Sequence, residues 1–371
     1  PLVALAIGQR DLSPTAHRVV AGNTVALAPY DVLTNPLELS VGHFDFAFVL
    51  LFLVPLLVLV LTFDLTTSER ENGTLRMLLT QPVSLYTLLF GKIFVRAGWI
   101  AFLVASASVI SFSVAGGFAE GALRAVVWTL TILLYTAFWF ALAIVVNASG
   151  RSAATNASIL ASFWLVFVAL IPAVVNLLAS GLYPIPSRAT FVAAMRTENE
   201  AVRKLEKNVM ATFIADHPEL ADKMEGGGDY AMMRVARDAV AAKRLAPIMA
   251  RYDEQRAEQN ALVSRLAFLS PTLIVHQVLL DIAGTGGRQQ RAHLKEVRRF
   301  QKTWQDHFTP QLFAAKAFRA EDYDQVPHFA SKRESSMAVA KRSAAPLGVL
   351  LVIVLVVAFI GLRRYRDYSA Y

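Results

Sequence analysis

The chain has 371 residues, 55% of them hydrophobic and only 17% charged, with a mean hydropathy of +0.46. That is too apolar for an ordinary soluble domain and places it among membrane proteins. It contains no cysteine, which excludes a disulfide framework, a thiolate metal site and a thiol nucleophile. The net charge of +8 is spread over both sides of the expected membrane, which argues against nucleic acid as a partner.

Residues 1–45 read as an extracytoplasmic segment. The run Leu2-Val3-Ala4-Leu5-Ala6-Ile7 resembles the end of a helix leaving the membrane, so an upstream span, making six in all, or else a cleaved signal peptide is expected before it. Spans then follow. A bilayer core needs about 20 apolar residues in helical form, and five segments reach that length: Phe46 to Leu65, Ile93 to Ala115, Leu123 to Val146, Ala157 to Ala179 and Ala345 to Leu362. The first four and their connections fill residues 46–182, and the last span with its basic tail fills 344–371.

Orientation follows from the short loops, because Lys and Arg accumulate on the cytoplasmic side. Arg70, Arg76, Lys92 and Arg96 follow the first span, Arg151 follows the third, and Arg363-Arg364-Tyr365-Arg366 follows the last. If every segment crosses, these regions share the cytoplasmic side. The opposite side receives residues 1–45, the turn at Gly116-Gly117 and the long region 183–343.

The loop 66–92 is the most informative stretch, since it is polar and short yet lies between two spans. Ser68 has Glu71 three residues on, the pattern of a capping box that starts a short helix, and Glu69 and Glu71 suit the dipole of its first turn. Pro82 ends the element, and Gly91-Lys92 opens the next span. The expected result is a short amphipathic helix on the cytoplasmic surface. The ordered letters Glu69-Arg70-Glu71-x-Gly73-Thr74-Leu75, Leu78-Leu79, Gln81-Pro82-Val83-Ser84 and Gly91-Lys92 resemble the loop between the second and third spans of type-2 ABC exporter permeases. In that family the loop is a coupling helix docked on a cytoplasmic ATPase. The resemblance therefore implies that Ser68, Glu69, Arg70, Glu71, Gly73, Thr74, Leu75, Leu78, Pro82, Gly91 and Lys92 pass nucleotide-driven motion to the spans.

The region 183–343 is long enough for a domain of its own. Met195, Val202 and Val209 recur at sevens, with Leu205 and Thr212 offset, on an otherwise charged segment. Gly226-Gly227-Gly228-Asp229 interrupts it. A second amphipathic stretch runs from Tyr230 to Leu266 with Val235, Leu245, Met249 and Tyr252 apolar. Packed helical hairpins are the simplest architecture, and the whole chain reads as an all-α polytopic bundle with a helical extracytoplasmic domain. The order of four close spans, a long polar region and a last span resembles a permease subgroup with a large extracytoplasmic insert, as do Leu269-Ser270-Pro271, Gln277 and Ala283-Gly284-Thr285.

Other chemistry is sparse. His217, His276, His293, His307 and His328 lack the pairing of a helical zinc site, and Met224, Met232 and Met233 fit core packing better than soft-metal handling. Gly284-Thr285-Gly286-Gly287 lacks the order of a phosphate loop and reads as a helix-ending turn. No metal site or cofactor is assigned to this chain; ATP and Mg belong to a partner ATPase. No ionisable residue sits in the middle of a span, which argues against a proton relay. Ser106, Ser108, Ser111, Ser113, Thr129, Thr131, Tyr135, Thr136, Ser158 and Ser162 serve helix packing or line a pathway, and Pro55 and Pro172 kink their helices.

The expected function is a permease subunit working as a dimer, with the same or a related chain, on a cytoplasmic ABC ATPase dimer, for export across the bacterial inner membrane. The alternative is mechanotransmission, in which region 183–343 moves an envelope partner and nothing crosses. A receptor or scaffold without an ATPase is the third class. Lipid and an extracytoplasmic protein are the further partners, and the chain itself is no enzyme.

Overall fold

A computed structural model describes residues 2–8, 19, 45–82, 84–116, 118, 121–186, 188–204, 208–218, 230–313, 319–330 and 334–366. Among the described residues there is no strand. In chain order the helices are α1 (46–62), α2 (Thr67–Glu71), α3 (Thr74–Leu79), α4 (Leu85–Val114), α5 (Ala122–Asn147), α6 (Ala153–Leu182), α7 (Arg188–Lys204), α8 (Val209–Asp216), α9 (Tyr230–Leu266), α10 (Pro271–Ala283), α11 (Gly287–Phe313) and α12 (Ser336–Arg366). Five segments are long and apolar enough to cross a membrane, namely α1 with its continuation through α2, then α4, α5, α6 and α12. The chain is thus an all-α polytopic bundle, with a loop end that holds α2 and α3 and a domain end that holds α7 to α9 and α11.

The span boundaries are set by caps that lie beyond the apolar windows. Ser84 Oγ accepts from Thr87 N at 3.1 Å and starts α4 at Leu85, so Gly91-Lys92 falls inside the helix and does not open it. Ser152 Oγ likewise accepts from Thr155 N at 3.2 Å and starts α6. The two proline kinks take a definite form. A π-helical turn, Val49–Leu53 in α1 and Leu165–Leu170 in α6, immediately precedes the segment that opens with Pro55 or Pro172. Proline cannot supply the usual amide donor, and the wider turn absorbs the mismatch.

Helix α5 is the axis of the bundle. Trp128, Ile132, Tyr135, Trp139 and Ala143 are completely buried along it, with α1, α4, α10 and α12 packed around them. Trp128 meets Phe112 of α4 edge-on, and Trp139 meets Phe138 in the same way. Several hydroxyls on the spans bond to their own helices: Thr131 and Thr136 donate to Val127 O and Ile132 O at 2.6 and 2.8 Å, and Ser158 and Ser162 to Ala154 O and Ser158 O at 3.0 and 2.8 Å. That is the packing role, which silences a polar group within a turn.

Helix α10 departs from a region lying wholly outside the membrane. Ile274, Val275, Val278, Leu279, Ile282 and Ala283 are buried in the same core as the spans. With 13 residues it is about 20 Å long, too short to cross. Ser270, at its start, donates to Phe167 O in the middle of α6 at 2.7 Å. Its far end meets the domain end, where Leu2 N donates to Ala283 O at 2.9 Å. The segment from the foot of α9 through α10 therefore dips to mid-bundle and returns to the side it came from. Tyr135 of α5 seals the dip: its hydroxyl donates to Leu51 O at 3.0 Å and lies 2.9 Å from Thr272 Oγ1. Gly284 caps α10 with φ of +71°, the left-handed conformation of a helix-ending glycine. Residues 3–5 near the start of the chain form a turn over this end, not a helix, with Leu2, Leu5 and Ala6 buried.

Beyond the bundle, α9 forms the spine of the outer region. Val202, Val209 and Phe213 pack on Met232, Val235 and Val240, and Phe191 and Met195 pack on Leu245. The sevenfold spacing of Met195, Val202 and Val209 thus marks buried positions: Val202 of α7 and Val209 of α8 share one cluster, and Met195, two turns earlier on α7, belongs to the other. Met232 is core; Leu205, Met224 and residues 226–229 lie outside the described residues.

Close approach of α5 and α12 rests on Gly361. A Cβ there would lie 2.8 Å from Ile144 Cγ2 and 3.1 Å from Val145 N, so glycine permits the contact. Replacing Gly361 with Leu is expected to destabilise the bundle by about 1–3 kcal/mol, read as a lowered thermal midpoint in detergent. An unchanged midpoint would show that the two helices do not meet at this level.

Candidate functional site at the loop end

The loop between α1 and α4 folds as two short helices, not one. Helix α2 begins at Thr67 with Thr66 as N-cap and no side-chain cap bond, so Ser68 lies inside the helix and the Ser68 to Glu71 capping box does not form. The reason is continuity: α1 passes through a turn into α2, and no free helix start remains for Ser68 to cap. Gly73 then takes φ of +71°, which a residue with a Cβ rarely adopts. Thr74 restarts the chain as α3 and donates from its Oγ1 to Glu69 O at 3.2 Å. Helix α3 closes at Leu79, with exposed Gln81 and Pro82 beyond it.

The charged residues split from the tip by direction. Lys92, about two turns into α4, donates to Leu65 O at 2.7 Å and pairs with Glu69 Oε1. Arg70 donates to Gly150 O in the loop between α5 and α6. Glu71 Oε1 accepts from Ala153 N at 3.0 Å and so caps α6, where a carboxylate suits the helix dipole. Arg96 donates to Leu61 O and lies 3.4 Å from Asp64. Glu69, Arg70, Glu71 and Lys92 therefore tie the loop to α4, the α5–α6 loop and α6. Each pair is about a quarter exposed or more, and such a pair contributes on the order of 1 kcal/mol. Outward-facing residues are Asn72, Gly73, Thr74 and Met77, the last 74% exposed, with Leu75 buried beneath them and Leu78 half-buried. Gly91 is exposed on α4, with open space where a Cβ would stand.

Behind the loop lies a buried polar knot that the sequence reading missed. Asn147, the last residue of α5, donates from Nδ2 to Thr62 O at 2.8 Å and Ala143 O at 2.9 Å. Its Oδ1 accepts from Leu65 N at 3.1 Å. Asn156 of α6 donates to Thr67 Oγ1 at 2.9 Å, and Thr66 Oγ1 lies 3.1 Å from the hydroxyl of Tyr365 on α12. Thr62, Thr66, Thr67, Asn147 and Asn156 are all fully buried. A buried polar group without a partner is costly, and the knot satisfies the carbonyls and amides freed where α1 stops being a regular helix. One signal in the sequence could have found it: an asparagine at each edge of the short loop between two apolar spans.

Two family matches coincide with this layout. Residues 32–173 match the family described as ABC-2 family transporter protein, a stretch that includes α1, the loop that holds α2 and α3, α4, α5 and the first two thirds of α6. Residues 188–332 match a domain of unknown function (DUF3526), which takes in α7 to α11. No curated protein and no solved structure matches the chain.

Exchanging Asn147 for Leu keeps the volume but strands Thr62 O and Leu65 N. With a penalty of about 1–3 kcal/mol for groups left unpaired, amide exchange at residues 64–72 is expected to quicken by about tenfold or more, while the domain-end helices keep their protection. Uniform acceleration over the whole chain would contradict a local role.

Proposed function

By residues 32–173 the chain belongs to the ABC-2 transporter family and is a membrane permease subunit of an ABC transporter; from that premise we propose that it couples ATP hydrolysis by a separate cytoplasmic ATPase to export of a hydrophobic or amphipathic cargo. The observation that carries the coupling is the division of the loop into an outward tip and inward ties. The tip of Asn72, Gly73, Thr74 and Met77 offers an apolar knob on a tight turn to a partner. Glu69, Arg70, Glu71 and Lys92 anchor the same turn to α4, α6 and the loop between α5 and α6. A push on the tip is then delivered to three spans together, because rigid short helices and charge-assisted bonds pass displacement without slack.

In this reading the loop end is cytoplasmic, as its Arg and Lys content favours. Two permeases, identical or related, join two ATPases that bind the ATP and Mg, and closure of the ATPase pair shifts α4 against α5 and opens the permease pair. The bacterial inner membrane is the proposed location. Ser68, Leu75, Leu78, Pro82 and Gly91 shape or flank the element, and Gly73 sets its bend.

A second reading draws support from Arg342. At the head of α12 it pairs with Asp281 at the end of α10, at 3.1 Å, and with Glu334. Motion of the last span thereby reaches the outer helices, which suits mechanical transmission to an envelope protein. Liposomes separate the two: ATPase activity raised by cargo that accumulates across the membrane supports export, whereas activity raised only by an added envelope protein supports transmission.

For the coupling loop, Met77→Arg and Gly73→Trp are each expected to weaken ATPase retention in a pull-down by about tenfold or more, the scale of losing a buried anchor. Glu69→Gln is expected to keep the ATPase bound while lowering permease-stimulated hydrolysis. Full retention by both tip variants would remove α2 and α3 from the interface.

A further inference from the structure

Helix α6 changes partners at its π-helical turn, Leu165–Leu170. Its loop-end arm, Ala153–Trp164, packs on α1 and α5, with Leu160 buried in the core of the spans. The start of this arm is tied to the loop that holds α2 and α3, through Glu71 on Ala153 N and Asn156 on Thr67. Its domain-end arm, Ile171–Leu182, packs instead on α9 of the outer region. There the two helices run antiparallel. Gln259 Nε2 of α9 approaches Tyr183 O at the top of α6 at 3.4 Å, and Ser270, just past the foot of α9, donates to Phe167 O at 2.7 Å. The domain-end arm and the foot of α9 thus form a two-helix stalk, and both of its strands join the bundle at one point inside the π turn.

The hydrogen-bond ladder of α6 is interrupted at that point. Ile171 N donates five residues back, to Val166 O, and the next amide in line would reach Phe167 O. Residue 172 is proline, which has no N–H to give. The Ser270 hydroxyl takes its place, so a side chain from another segment stands in for a missing backbone bond. Helices bend where a proline or a π turn breaks the ladder, and here the two coincide. The bundle side of the joint is held separately. Phe138 of α5 meets Phe167 edge-on with ring centres 5.7 Å apart. Trp164, the last residue before the turn, donates from Nε1 to Phe52 O at 3.2 Å. Phe52 lies in the π turn of α1, where Tyr135 holds the neighbouring Leu51 O.

We propose that Leu165–Leu170 is a pivot on which the domain-end arm of α6 and the foot of α9 tilt together as one stalk, while the loop-end arm stays with the bundle. The bond from Ser270 to Phe167 O is the pin that sets its resting angle. Tilting there breaks one hydrogen bond and leaves the helices on either side intact, as hinge motions do. The pivot rests on the packing of α6 and is independent of the ATPase reading.

Because the 371 residues hold no cysteine, introduced cysteines carry spin labels at defined places, and pulsed electron resonance on the full chain in lipid nanodiscs reads the distance between them. The stalk pair is Ser180→Cys with Val126→Cys and the control pair Ala161→Cys with Val126→Cys, all at exposed positions. Ser270→Ala is expected to raise the population away from the main stalk distance by about three- to tenfold, the factor that one hydrogen bond is worth, with the control pair unchanged. Ser270→Thr keeps the hydroxyl and is expected to match the wild type. Pro172→Ala returns an N–H to the turn; it is expected to narrow the stalk distribution and, combined with Ser270→Ala, to cancel the widening. An unchanged stalk distance in Ser270→Ala, or equal widening of the control pair, would overturn the pivot. Widening by Ser270→Thr, or widening that persists beside Pro172→Ala, would rule out the pin. If Ser270→Ala fails to fold, Pro172→Ala decides, and a stalk distribution as wide as that of the wild type sinks the proposal.

Discussion

Two interruptions of helical backbone inside an apolar bundle govern this structure, and one helix closes both. Hydrocarbon offers no hydrogen bonds, so irregular backbone at membrane depth must be satisfied by protein. At mid-bundle the entry to α10 is closed by Tyr135, which reaches Leu51 O and Thr272. At the loop end the exit from α1 is closed by Asn147, which reaches Thr62 O and Leu65 N. Both side chains belong to α5. The absence of exposed residues on α5 from Thr131 to Asn147 is therefore a requirement as well as an outcome, because a seal exposed to lipid would itself need a partner.

Function follows from where these seals lie. Asn147 and Asn156 hold the base of α2 while Glu69, Arg70 and Glu71 hold its sides, so the tip of the loop is free to meet another protein and its root is not free to move alone. At the other end, α10 and the Arg342 pairs join the outer helices to α5 and α12. A displacement entering at the tip has continuous packed structure to follow to the domain end. That continuity suits both export and transmission, which differ in what the domain end touches.

The loop illustrates how a motif and its geometry can separate. Read as letters, Glu69-Arg70-Glu71 invites the idea of charges offered to a partner. Folded, the same charges turn back on the bundle, and the neutral residues Asn72, Gly73, Thr74 and Met77 project. Glu69 and Lys92, each about a quarter exposed, meet one another and the Leu65 carbonyl, and Glu71, though exposed, reaches the first amide of α6, whereas a glycine turn has nothing to bury.

The sequence by itself determined the spans, the polar character of loop 66–92 and the amphipathic run Tyr230 to Leu266, since each rests on local composition and period, and apolar length alone decides what a bilayer accepts. It also marked Gly284 as a helix end through the glycine's backbone freedom. Tertiary structure alone decided that α10 returns into the bundle, because a 13-residue apolar helix is equally compatible with a soluble core. It alone brought Asn147, Asn156, Thr66 and Tyr365 together, residues from four separate helices or turns whose partnership no spacing encodes. It also moved the helix starts to Thr67 and Leu85, where continuity with α1 and the Ser84 cap outweighed the apolar pattern.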